Sequence, residues 1–159
     1  MITLNEKDTV ALIAAEYFGN GYHCAEAVTK AVLESMDEES GLAVSHATAF
    51  GGGFGESFCE ACGVITGSLI VIGHLHGKRN QGDTWKKAAR IGDLVAERFK
   101  SLYGTTNCGQ LRDRFGEEEQ MELCRELVRQ GARNLLTLLK EESEIEDNKS
   151  CDKNKCNAC

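Results

Sequence analysis

Eight cysteines stand in this chain of 159 residues, at positions 24, 59, 62, 108, 124, 151, 156 and 159. Thiolates are soft ligands, so this supply points to zinc, iron–sulfur or thiol redox chemistry and away from calcium or magnesium. The density is below that of a disulfide-stapled scaffold, and in a reducing compartment cysteines serve more often as ligands or redox thiols than as bridges. Cys59 and Cys62 form a C-x-x-C ahead of an apolar run. At a helix start the dipole and free N–H groups depress a thiol's pKa, which suits a metal-bound thiolate or a thiol–disulfide oxidoreductase or redox sensor. The βαβ context of a thioredoxin is missing, and residue 63 is Gly where c-type haem attachment requires His.

The other cysteines differ in setting. Cys24 and Cys124 fall on apolar helical stripes, where a free cysteine also serves as a small buried hydrophobe. Cys108 lies in Thr105-Thr106-Asn107-Cys108-Gly109, a loop-like stretch with no packing reason for a cysteine. Cys151, Cys156 and Cys159 form C-x4-C-x2-C, the first three ligand spacings of a plant-type ferredoxin, and offer a second metal site. The competing reading is a tail whose thiols take up metal or oxidant opportunistically. The four histidines, His46 included, read as structural: His74 and His76, two apart, cannot share a helix face, and His23, which adjoins Cys24 as a candidate supporting group, points in a different direction from it.

Helices must position these groups. Proline is absent, and no alternating strand pattern persists. Thr3 and Glu6 have capping-box spacing, followed by Val10, Ile13, Ala14 and Tyr17 on one face up to Gly19. A second helix is predicted from His23 to Met36 with Cys24, Ala27, Val28, Ala31 and Val32 as its stripe, and a shorter piece over 42–50. Gly51-Gly52-Gly53-Phe54-Gly55 is a loop, since each glycine would cost a helix about 1 kcal/mol. Residues 63–77 are apolar on nearly every side and read as a central buried helix whose Gly63/Gly67 and Gly73/Gly77 spacing permits close packing.

Asp83 is the expected N-cap of a helix carrying Trp85, Ala88, Ala89, Gly92, Val95, Ala96, Phe99 and Leu102 and stopping at Gly104. The longest helix is predicted over 117–142, with Met121, Cys124, Leu127, Val128, Ala132, Leu135, Leu136 and Leu139 on its stripe. From Glu144 the chain is polar. The expected fold is all-α: a bundle of five or six helices around a buried glycine-rich helix, with a domain over 1–147 and a cysteine-rich tail over 148–159.

Net charge is −7 and the pI about 5.2, which gives sequence-independent nucleic-acid binding no electrostatic support. The first residues lack a basic region followed by an apolar one, and the run 64–73 is about half the ~20 residues of a spanning helix, so a soluble, cytoplasmic protein without membrane insertion is expected. The glycine loop lacks Walker or dinucleotide spacing.

The combination resembles the small redox-active proteins known by the pattern C_GCAxxG_C_C. The residues that carry it are Cys24 in Tyr22-His23-Cys24-Ala25-Glu26-Ala27-Val28, Cys62 in Ala61-Cys62-Gly63-Val64-Ile65-Thr66-Gly67, Cys108 in Asn107-Cys108-Gly109-Gln110-Leu111, and Cys124 in Leu123-Cys124-Arg125-Glu126-Leu127. Ala61 and Val64 depart from the small residues usual in the central motif. The resemblance implies a redox-active protein that holds a metal or iron–sulfur centre through Cys24, Cys62, Cys108 and Cys124, with zinc as the alternative metal. It also implies an electron-transfer or metal-handling role beside an undefined redox partner, such as a transport system; a similar domain occurs in split-Soret cytochromes. The glycine loop would then let backbone approach the cysteines and supply N–H groups to sulfur.

Overall fold

A computed structural model describes residues 5–155, with side chains to residue 146. The order is α1 (Glu6–Gly19), α2 (Cys24–Ser35), α3 (Gly41–Ala47), a 3-10 turn (Thr48–Phe50), α4 (Gly63–His76), α5 (Lys86–Tyr103) and α6 (Cys108–Lys155), with no strand among the described residues. The all-α expectation holds.

Helix starts follow local chemistry. The cap of α1 is Asn5, whose Oδ1 accepts from the Asp8 N–H at 2.9 Å; Thr3 lies outside the described residues. Asp83 does not cap α5, contrary to expectation. Its carboxylate instead accepts from the N–H groups of Arg79 and Asn80 at 2.9 and 2.8 Å, closing a turn, and the cap position is Trp85. Trp85 and Leu102, expected on the buried stripe, are exposed, while Ile91, Gly92 and Phe99 face the core.

The largest correction concerns α6. It begins at Cys108, which the sequence placed in a loop, because Asn107 Oδ1 accepts from the Gln110 N–H at 3.0 Å and caps it. Gly116, with φ 73° and ψ 161°, breaks the helix, so the expected start near residue 117 is the start of its second segment. That segment runs without interruption past position 147 to Lys155, where a polar tail was expected. Ion pairs hold its acidic stretch: Lys87–Glu146 at 2.8 Å, Arg98–Glu141 at 2.8 Å, and Arg90 on the buried Glu142.

The core forms where α2 packs on α1, α4 and α6, with Val28, Val32, Leu33, Val64, Val71, Ile72, Val128, Leu135 and Leu136 inside. Each such side chain contributes about 1.5–3 kcal/mol by leaving water. Helix α4 is buried on most sides, as its composition predicts; its first six residues, with Val71 and Ile72, are shielded. It meets α2 at backbone distance. A Cβ on Gly67 would lie 2.5 Å from the Ala25 carbonyl oxygen, and the buried Thr29 hydroxyl donates to the Gly67 carbonyl at 3.2 Å. Gly67→Ala should therefore cost about 3 kcal/mol of stability, the upper range for overpacking. Gly73→Ala, where an added Cβ meets nothing within 4 Å, should instead stabilise by up to about 1 kcal/mol. Urea unfolding of the two variants measures this difference in sign.

Candidate functional site

Three helices begin at one place. Cys24 is the first residue of α2, Cys62 caps α4 and Cys108 is the first residue of α6. Cys24 and Cys108, expected on a stripe and in a loop, thus share a position type with Cys62. Cys124 joins them from the second segment of α6, and the four residues line one cavity of about 240 Å³. Phe18, Phe58, Val64, Met121 and Leu127 supply its apolar wall.

The convergence has identifiable causes. At Gly63 an added Cβ would sit 2.2 Å from the Cys24 sulfur, so that sulfur rests on the bare backbone beside Cys62. The segment before α4 is zipped to the segment before α6: the Cys62 N–H donates to the Thr106 carbonyl and the Cys108 N–H to the Glu60 carbonyl, each at 2.7 Å. Ala61, a departure from the small-residue pattern, pairs with Asn107 in this bridge. Val64, the other departure, fits because Gly131 on α6 faces it; a Cβ there would fall 2.2 Å from Val64 Cγ1. The start of α2 is fixed by the buried Glu26, which accepts from the His23 N–H at 3.0 Å and the Thr48 hydroxyl at 2.7 Å.

The glycine loop closes over the cavity in an unusual conformation. Residues 52–56, and Phe58 after them, all have φ between 55° and 65°. For Phe54, Glu56 and Phe58 this left-handed region costs on the order of 1–2 kcal/mol each. The N–H groups of Gly55, Glu56 and Phe58 donate to the carbonyls of Ala49, Gly51 and Gly52 at 2.9, 3.2 and 2.8 Å, which holds the turn. Backbone does approach the cysteines: a Cβ on Gly53 would lie 2.8 Å from Cys108 Cβ. These three amides serve loop carbonyls, however, and the N–H that reaches sulfur is that of Val64, bonded to Cys62.

Burial dominates the electrostatics. It holds the Cys62 thiol far above the ordinary thiol range, with the neighbouring Cys24 as the next cause and the Val64 N–H opposing. Burial and then Cys24 push Cys124 up to about 11, and the same two causes raise Cys108. Each of the six pairs among the four thiols is close enough to couple electrostatically. Arg112 on the cavity wall works the other way at Cys108 and Cys124.

Cys59 stands apart. It is exposed outside the cavity, its thiol donates to the Ser57 carbonyl at 3.1 Å, and the partner it would need in a C-x-x-C dithiol, Cys62, is 6% exposed and faces inward. The expected second site at Cys151, Cys156 and Cys159 lies outside the described side chains. His23 borders the cavity at 3.4 Å from Glu26, and His74 pairs with Glu38 at 3.7 Å. Arg112, Phe58 and Gln120 were not anticipated. The missed signal was Asn107-x-x-Gln110, a helix-start spacing that places Arg112 one turn after Cys108.

This is a helical protein with four cysteines gathered about one cavity, three of them at helix starts. The chain belongs to the family described as putative redox-active protein (C_GCAxxG_C_C), whose model matches residues 22–158. Neither a curated protein nor a solved structure matches it. No described helix is long and apolar enough to cross a membrane.

The raised thiol pKa values carry a pH dependence. A thiol held protonated by the fold contributes stability that is complete below the unfolded value of about 8.5 and declines as pH rises toward the folded one. The urea midpoint of reduced, metal-free protein should fall between pH 8 and 10.5, and fall less in Cys62→Ala/Cys124→Ala. An unchanged slope in that variant would assign the loss to Cys108 and to Tyr17 and Tyr103, whose hydroxyl pKa values are raised by Glu34 and by burial respectively.

Proposed function

We propose that this protein is an electron-transfer or metal-handling accessory whose redox centre is an iron–sulfur cluster ligated by Cys24, Cys62, Cys108 and Cys124. The observation that carries this reading is the single cavity onto which all four thiols open. Among the described residues, no group of three or more His, Cys, Asp or Glu side chains is already placed to hold a metal ion, so the cysteines would have to draw together on binding. The cavity has room for a group of several heavy atoms, which favours a polynuclear centre over a single zinc.

A bound cluster would supply one-electron chemistry, with a potential set by charge, hydrogen bonds to sulfur and solvent exposure. The chain's own residues act on each of those. The starts of α2, α4 and α6 place partial positive charge beside an anionic centre, and the Val64 N–H bonds sulfur. Phe18, Val64 and Leu127 give the cavity an apolar lining. The thiols must ionise to ligate, and the metal's charge reverses the penalty that keeps them neutral in the free protein.

Anaerobic reconstitution with iron and sulfide tests the reading. The wild-type chain and Cys59→Ser should take up iron and sulfide together and show charge-transfer absorption, while Cys62→Ser should lose most of both. Uptake that depends on Cys59 would instead favour the C-x-x-C as a redox pair. A chain that stays colourless and iron-free would remove the cluster proposal.

A further inference from the structure

Two cysteine sulfurs flank one bare residue. A Cβ built on Gly63 would fall 2.2 Å from the Cys24 sulfur and 3.3 Å from the Cys24 Cβ, so that side chain lies against the Gly63 backbone. The Val64 N–H, separated from the Gly63 Cα only by the carbonyl carbon between them, bonds the Cys62 sulfur. Both sulfurs therefore rest on the same short stretch at the start of α4. Disulfide closure needs side chains seated this near, since its Cβ atoms stand only about 3.5–4.5 Å apart.

The two thiols differ in access. Cys24 is half-buried in a cavity whose lining includes the exposed His23, Glu56 and Met121, so it is open to solvent on that side. Cys62 is shielded. Access helps decide which thiol attacks a disulfide, and a half-open sulfur beside a shielded one sorts the pair into an attacking and a resolving thiol. Cys24 is also central: of the other thiols, it has the largest influence on Cys62, on Cys108 and on Cys124 alike. Cys59 lies outside the cavity with its thiol turned to the Ser57 carbonyl.

We propose that in the metal-free protein Cys24 and Cys62 form a redox-active dithiol that exchanges with small organic disulfides entering the open side of the cavity. Cys24 attacks one sulfur of a disulfide R–S–S–R. The S–S bond breaks, a Cys24–S–R bond forms, and the released R–S group leaves with the Cys24 proton. Cys62 then attacks the Cys24 sulfur, the Cys24–Cys62 bond forms, and the second R–S group leaves with the Cys62 proton. The protein pair is oxidised and the small disulfide is reduced to two thiols. The apolar wall of Phe18, Met121 and Leu127 suits an uncharged R group. This pair needs no C-x-x-C spacing, because the packing of α2 on α4 supplies the juxtaposition. It uses two of the sulfurs assigned to the cluster, so an oxidised pair blocks cluster loading.

The test needs no cluster. Reduced, metal-free protein is equilibrated with 2-mercaptoethanol and its disulfide, quenched with acid, alkylated, and mapped by mass spectrometry of unreduced peptides. A Cys24–Cys62 link should be the major product in wild type and in Cys59→Ser alike. Cys62→Ser should accumulate the 2-mercaptoethanol adduct on Cys24, and Cys24→Ser should leave Cys62 a free thiol. In urea the preference should pass to Cys59–Cys62, which closes the shortest loop. A major native link from Cys62 to Cys59, or from Cys24 to Cys108 or Cys124, overturns the proposal. So does a wild-type chain whose Cys24 and Cys62 stay reduced while Cys59 takes the adduct. The wild-type map decides the matter even where a serine variant fails to fold. Iron uptake by a chain that forms no Cys24–Cys62 link removes this proposal alone, and a link without iron uptake removes only the cluster.

Discussion

Helices α2 and α4 meet at Gly63 and Gly67 with no side chain contributed by α4, and the rest of the site follows from that contact. Ordinary helix pairs stand 8–10 Å apart, a spacing set by the side chains at the crossing. Removing the Cβ at two positions one turn apart lets the starts of both helices come to a single point, with the Cys24 sulfur on the backbone beside Cys62. The zipper between the segments before α4 and α6 then adds the third helix start. From there α6 descends into the core and brings Cys124 along.

The same convergence sets two electrostatic effects against each other, and their magnitudes decide the outcome. A helix start favours a thiolate by about 0.3–1 kcal/mol, and by ~2 in good buried geometry. Taking a charged group out of water costs several kcal/mol per ion, and each further thiolate repels the first. The helix ends do not offset this burial, which is why Cys62, Cys108 and Cys124 all move upward. Cys62, Cys108 and Cys124 are therefore held toward the neutral thiol in the free protein.

Much of the fold was legible because helices announce themselves by period. The stripe of α2, the buried character of α4 and the loop at 51–55 could be read directly, since each rests on side-chain types repeated along a short stretch. The errors share a cause. Asp83 was read as capping forward when it accepts backward, and Cys108 was placed in a loop because the Asn107-x-x-Gln110 signal is short and Gly116 hides the join between two segments. The acidic end of α6 looked undocked because ion pairs leave no apolar stripe. Periodicity put the four cavity cysteines on separate elements, and only the family pattern grouped them. Arg112 and Gln120 meet through a tertiary turn that no local spacing encodes.

The backbone zipper has a consequence for the order of events in synthesis. Beside it, the Asn107 side-chain Nδ2 that donates to the Cys59 carbonyl lies 48 positions further along the chain, and the Lys140 ammonium that pairs with Glu6 lies 134 positions further. A ribosome releases the chain from its first residue, so α1 waits for its main partner until nearly everything else has emerged. Contacts of such long separation are slow to form because the loop they close must be ordered first. The pocket is thus among the last features to take shape. Until then its thiols lie outside the burial that raises them in the folded chain.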